Sequence, residues 1–174
     1  MANANFNEIL VLVAAFNEEN HIEDVILNLS QTYKNILIID DSSTDKTYKL
    51  AASTKACKVI SHCINCGQGT ALMTGVQYFL ERTTCKYLIT FDGDGQHKVS
   101  DSLKMINYAL ENKSNALFGS RFIGEKKSNL PPFRAFFLKV ATLFERLFFG
   151  INLTDAHNGL RVLSRYSCEK IIKL

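Results

Sequence analysis

No run of apolar residues in this chain approaches the ~20 that a bilayer-crossing helix needs, so no membrane span is expected. Residues Met1 to Glu8 are polar and the apolar run Ile9 to Ala15 is short, which argues against a secretory signal. The expected setting is cytoplasmic, or peripheral on the cytoplasmic face of a membrane. An excess of one charge is also missing. The net charge is +3, with no long basic run and no basic patch interleaved with aromatics, so nucleic acid is not an expected partner. The five cysteines, Cys57, Cys63, Cys66, Cys85 and Cys168, are odd in number, against a disulfide framework. Cys63-x-x-Cys66 has His62 beside it but lacks a second pair at ligand spacing, so reduced, mostly buried thiols are expected rather than a zinc site.

What is present suits one globular α/β domain. The 174 residues with 47% hydrophobic content are enough for a sizeable core. EILVLVAA (Glu8 to Ala15) is apolar on both faces and reads as a central parallel strand. Ile22, Val25, Ile26 and Leu29 then repeat at helical spacing. A second strand, Asn35 to Ile39, runs into Asp40 and Asp41, and Thr44 or Asp45 is placed to cap a helix with Tyr48, Leu50 and Ala51 on its apolar side. A cap needs one oxygen, and two adjacent carboxylates repel. Asp40 or Asp41 is therefore a candidate acceptor for the imide N–H of uracil or guanine, or for a ribose hydroxyl.

The chain is organised around YLITFDGDGQH, Tyr87 to His97. An apolar, β-favouring run delivers Asp92 and Asp94 at its carboxyl end, where open α/β sheets bind ligands, and Gly93 and Gly95 leave room for a polyanion. Paired carboxylates beside a polyanion call for a divalent cation, and hard oxygens suit Mg²⁺ or Mn²⁺. Ordinary turn chemistry accounts for Asp-Gly-Asp-Gly as well. An EF-hand starting at Asp92 fails, because His97 and Leu103 stand where Gly and Glu are required. A haloacid-dehalogenase-like phosphatase, with Asp92 as nucleophile and Asp94 as acid/base, stays open as an alternative.

Val59 and Ile60 suggest a short third strand, followed by Gly67-Gln68-Gly69 leading into a helix from Ala71 to about Glu81. This stretch has neither Gly-Lys-Ser/Thr nor the third glycine of a dinucleotide fingerprint, so it reads as a close-packed helix start bordering a ligand. A further helix is expected from Ser100 or Asp101 through Tyr108, and a strand over Asn115 to Gly119. Leu130 to Phe149 carries Phe133, Phe136, Phe137, Val140, Phe144, Leu147 and Phe148 with cationic flanks. Such a stripe serves as core, as a contact between copies in a homo-oligomer, or as a membrane-interfacial face.

Together these segments resemble glycosyltransferase family two, whose fold is the GT-A type: a Rossmann-like, mixed, mostly parallel sheet flanked by helices. VAAFNEE (Val13 to Glu19) resembles the family's opening strand and loop. IIDDSSTDKT (Ile38 to Thr47) resembles its base-and-ribose site, and Gly67 to Gly75 its next block. FDGDGQH is similar to the metal motif of the polyprenyl-phosphate branch that contains dolichol-phosphate mannosyltransferase. The resemblance implies nucleotide-sugar binding by Ala15, Phe16, Asn17, Glu18, Asp40, Asp41, Gly69, Asp92 and Gly93, and metal binding by Asp92, Asp94 and Gln96. GSRF with Arg121 and LPPFR with Arg134 resemble positions that hold an acceptor phosphate. DAHNGLR (Asp155 to Arg161) resembles the block closing the sugar site, departing from the branch at His157 and Asn158. Relatives continue past Leu174, so a C-terminal truncation is expected.

The expected activity is metal-dependent, inverting transfer of a sugar from a UDP- or GDP-linked donor to a polyprenyl phosphate. That acceptor is already an anion and needs only Arg121 and Arg134 to hold it in line. A saccharide hydroxyl as acceptor requires a base, for which Asp155 or His157 is the candidate. A non-catalytic nucleotide-sugar-binding module is the rival from another class.

Overall fold

The computed structural model describes residues 5–120 and 158–173. Arg121, Arg134, Asp155, His157 and the Phe-rich segment 130–150 lie outside the described residues.

Seven consecutive buried residues, Ile9–Ala15, make strand β1. It pairs in parallel with β2 (Asn35–Asp40) on one side and β4 (Tyr87–Asp92) on the other, the central place that its two apolar faces imply. Strand β3 (Lys58–Ser61) extends the sheet beyond β2, also in parallel. At the other edge β6 (Arg161–Ser164) runs antiparallel to β4, and β5 (Ala116–Phe118) antiparallel to β6. The order is β3-β2-β1-β4-β6-β5, a mixed sheet with three parallel and two antiparallel pairings.

Alternation along each strand sends side chains to two cores. Val11, Val13, Ile38, Ile89 and Phe91 meet helices α1 (Ile22–Ser30), α2 (Thr47–Ser53) and α4 (Val99–Asn112) on one face. Leu10, Leu12, Leu37, Ile39 and Leu88 meet α3 (Gln68–Arg82) and α5 (Arg165–Ile171) on the other. The buried residues of α1 are Ile22, Val25, Ile26 and Leu29, the four that the periodicity selects.

Several expectations shift. In α2 the buried positions are Thr47 and Ala51, while Tyr48 stands 48% exposed, because a two-turn helix offers the sheet only a narrow stripe. Helix α3 starts three residues ahead of Ala71, since Gly67 takes a φ of +86° that turns the chain directly into the helix. Helix α4 runs past Tyr108 to Asn112 and stops where Lys113 turns left-handed. The thiols divide rather than being mostly buried. Cys85 and Cys168 are buried and Cys57 is half-buried, but Cys63 and Cys66 are exposed on the loop before α3. Burial pushes the Cys168 thiol up to about 12, which leaves it inert.

The far end of α3 is closed by a residue remote in sequence. Arg165 donates to the carbonyls of Phe79, Leu80, Thr83 and Cys85 at 2.6–3.1 Å, and its guanidinium lies 4.7 Å from the centre of the Phe79 ring. These carbonyls are the acceptors that a helix end leaves open. Arg165→Ala is therefore expected to lower the unfolding free energy by roughly 2–4 kcal/mol, given ~1.5–3 kcal/mol for hydrogen bonds to a charged group. Urea denaturation measures it, and a loss below about 1 kcal/mol would mean that water replaces the guanidinium.

Candidate active site

The parallel strands β1, β2 and β4 end together, and the loops leaving them frame a cleft of about 520 Å³. Its lining includes Ala14 and Ala15 at the end of β1 with Phe16 and Glu18 beyond it, Asp41 after β2, Asn65, Gly67, Gln68 and Ala71 around the start of α3, and Asp92 at the end of β4 with Gly93 and Asp94 beyond it. A larger groove of about 750 Å³ lies at the opposite end of the strands, among Lys34, Lys55, Lys58 and Arg82. The strand-end carboxylates, not the volume, single out the first.

Side-chain-to-backbone bonds lace the loops of β1 and β2 together. The N–H groups of Asn17 and Glu18 donate to Ser43 Oγ (2.9 Å) and Thr47 Oγ1 (2.7 Å), and Asn17 Oδ1 accepts from the N–H of Thr44 (2.9 Å). Asn17 adopts φ +56° to do so, and its carboxamide oxygen is spent on this lacing rather than on the cleft, which it does not line. Lys46, not Thr44 or Asp45, holds the N-cap position of α2 and makes no side-chain cap bond; Asp45, one residue before it, accepts the N–H and hydroxyl of Thr47 and the N–H of Glu19.

Asp40 and Asp41 differ sharply. Asp41 lines the cleft, but both of its oxygens are engaged: Oδ1 with the N–H of Cys66 (2.9 Å) and His62 Nδ1 (2.7 Å), Oδ2 with the N–H of Gly67 (2.7 Å). Burial works against its charge, yet Cys66, His62 and Gly67 outweigh it and hold the carboxyl below the ordinary range. Asp40 is only 1% exposed. Its Oδ2 accepts from Ser61 Oγ (2.8 Å), and among the described residues its buried Oδ1 has no hydrogen-bond partner.

Asp92 is held from three sides. Gln68 Nε2 donates to Oδ1 (3.0 Å), and His97 Nε2 lies 2.8 Å from Oδ2 with its ring edge-on to Phe91. From the third side comes backbone. A Cβ at Gly159 would overlap the carboxylate of Asp92, so a larger residue there obliges one of the two to shift, and the Gly159 carbonyl accepts from Thr90 Oγ1 at 2.6 Å. Asp94 Oδ1 accepts the N–H of Gln96, whose side chain is exposed.

Gly93 lines the cleft, and both glycines also have a packing or backbone role. A Cβ at Gly93 would meet Ala14 O and Ala15 Cβ at 3.3 Å, so it is small in order to pack on β1, and Gly95 supplies a φ of +75° to the turn. Gly69 is exposed on the first turn of α3 and is not in the cleft lining.

The described residues thus bring four carboxylates to the lining of one cleft: Glu18, Asp41, Asp92 and Asp94. Burial first, then the charges of Asp94, Asp45 and Asp92 push Glu18 above its ordinary range, partly offset by His21. The oxygens of Glu18, Asp92 and Asp94 are the hard donor type that Mg²⁺ or Mn²⁺ takes; as placed, the three do not lie within 4.8 Å of one another.

Residues 10–172 match the family described as "Glycosyl transferase family 2". The chain belongs to that family. Its family 2 relatives include an uncharacterized Methanocaldococcus jannaschii protein, 36% identical over 97% of this chain and 69% of its own length. They also include a UDP-N-acetylglucosamine–dolichyl-phosphate N-acetylglucosaminyltransferase of Methanococcus voltae, 31% identical over 90% of this chain and 69% of its own. Among solved structures, the mannosyl-3-phosphoglycerate synthase of Rubrobacter xylanophilus shares the fold at TM-score 0.69 and 17% identity, covering 90% of this chain. The chain spans 53% of that structure's length. Membership of family 2 supports a glycosyltransferase enzyme and not the phosphatase alternative. Among the described residues no helix is long and apolar enough to cross a membrane.

The strand-end motif and both loops were readable in the sequence. Gln68, His97 and Gly159, which fix Asp92, were not assigned roles there. All three sit inside segments already singled out, Gly159 within DAHNGLR, but Gly159 is remote from Asp92 in sequence and nothing along the chain joins the two.

Proposed function

We propose that the cleft binds a UDP- or GDP-linked sugar and that the chain transfers the sugar, with inversion, to a polyprenyl phosphate. The observation that carries this reading is the convergence of Glu18, Asp92 and Asp94 on one cleft at the ends of β1 and β4. Asp92 and Asp94, with Gln96 beside them, would hold Mg²⁺ or Mn²⁺. Bound there, such an ion supplies a Lewis acid for the negative charge that grows on the departing diphosphate.

The chain's own residues do the positioning. Gln68 and His97 hold the Asp92 carboxylate in one orientation, as partners behind a ligating group do. Phe16, 44% exposed beside the cleft, offers an apolar surface to a base. Asp41, which lines the cleft, and Asp40 beside it, whose buried Oδ1 has no partner among the described residues, are assigned as acceptors for a base N–H or a ribose hydroxyl. Arg121 and Arg134 are assigned to the acceptor phosphate. An anionic acceptor needs no base, only alignment. The dolichyl-phosphate acceptor named for the Methanococcus voltae relative supports the lipid-phosphate class.

The test is a screen of UDP-N-acetylglucosamine, UDP-glucose and GDP-mannose, each with polyprenyl phosphate or a saccharide acceptor, in Mn²⁺ or Mg²⁺. Labelled sugar should appear in the lipid phase with the phosphate acceptor. Transfer to saccharide alone would contradict the acceptor, and absence of transfer from every donor would contradict the whole reading.

A further inference from the structure

The β2 side of the cleft offers a nucleobase very few acceptors. A carboxylate has about four lone-pair sites, two on each oxygen, and when charged it only accepts. In Asp41 three of these are filled: Oδ1 takes the N–H of Cys66 (2.9 Å) and His62 Nδ1 (2.7 Å), and Oδ2 takes the N–H of Gly67 (2.7 Å). One site remains, on Oδ2. The imidazole is itself tethered, with His62 Nε2 2.9 Å from Thr74 Oγ1 on α3, so Oδ1 stays occupied. The Asp41 side chain is only 4% exposed, so a ligand meets it through a narrow opening. Asp40 Oδ1 has no partner among the described residues, but Asp40 is 1% exposed and is not in the cleft lining. Within the lining, the β2 loop therefore presents one vacant carboxylate acceptor.

On the reading of this cleft as a nucleotide-sugar site, we propose that the base it selects is uracil, whose single imide N–H donates to Asp41 Oδ2, and not guanine. Guanine carries N1–H and the N2 amino group side by side, two donors that call for two acceptors. Asp41 can take one. The other is left unpaired, and a site that strands a polar group rejects the ligand that carries it. Uracil has the opposite pattern, because its N–H is flanked by two carbonyls that need donors. Asn65 supplies one: its carboxamide lies in the cleft lining and makes no hydrogen bond among the described residues.

Calorimetric titration of the chain in Mn²⁺ with UDP, GDP and the diphosphate of N3-methyluridine tests the assignment. UDP should bind about 10–100-fold more tightly than GDP, the scale of one hydrogen-bonding group left unpaired. Methylation at N3 replaces the donor with a methyl group and should weaken UDP by about tenfold or more. This second measurement needs no variant protein. Asp41→Asn, checked for folding by circular dichroism, should bind UDP more weakly and lose the difference between UDP and its N3-methyl analogue; a purely structural Asp41 would weaken both and leave their ratio unchanged. GDP binding as tightly as UDP, or the N3-methyl analogue binding like UDP in wild type, would overturn the choice of base while leaving the nucleotide-sugar reading in place. Binding of none of the three would overturn that reading and the choice of base with it.

Discussion

Replacing Asp92 by Asn is expected to lower sugar transfer by about 10²–10³-fold while the domain stays folded, the scale seen when one preorganised electrostatic contact in an active site is removed. The substitution keeps shape and removes charge. The amide offers one oxygen where the carboxylate offered two, so either Gln68 or His97 meets an N–H instead of an acceptor. The lost charge would weaken the hold on the divalent cation proposed to offset the charge of the departing diphosphate. Asp92 is partly exposed at a strand end rather than in the core, so the effect on unfolding should stay small. Steady-state kinetics beside a urea titration separates the two quantities. A loss under about tenfold would show that Asp92 is structural.

The second large effect is expected at a residue with no functional group. In Gly159→Ala the new Cβ would overlap the Asp92 carboxylate, and neither partner can move freely. Gly159 is tied through its carbonyl to Thr90, and Asp92 is pinned by Gln68 and His97. The carboxylate must shift. Displacing a catalytic contact by about 1 Å costs on the order of 10²-fold in rate, and overpacking of this kind destabilises by roughly 1–3 kcal/mol. Turnover measured well below the melting temperature tests the first figure, and urea denaturation the second. Near-normal turnover would mean that the strand carrying Gly159 gives way instead, and that Asp92 is not fixed from this side.

The outline of the molecule was legible because its strongest signals are local. Seven apolar residues in β1 and the i, i+3, i+4, i+7 set in α1 are dictated by burial on a sheet between two layers of helices. The placement of Asp92 and Asp94 at the end of β4 follows from strand polarity alone. The four-residue β6 was missed, since it is too short for its alternation to stand out and is made a strand by pairing with β4 and β5. Partnerships across the chain were equally hidden. Nothing along the sequence tells that His62, Cys66 and Gly67 bond to Asp41, or that Ser43 and Thr44 bond to Asn17. Periodicity carries no information about which remote loop will supply a hydrogen bond.

Calorimetric titration of UDP and of GDP into the chain, in Mn²⁺ and again in EDTA, bears most directly on the role given to the strand-end carboxylates. In wild type one of the two nucleotides should bind about tenfold or more tightly with Mn²⁺, a gain of about 1.4 kcal/mol, and Asp92→Asn should abolish the difference. Equal affinity in Mn²⁺ and EDTA for both nucleotides would contradict it.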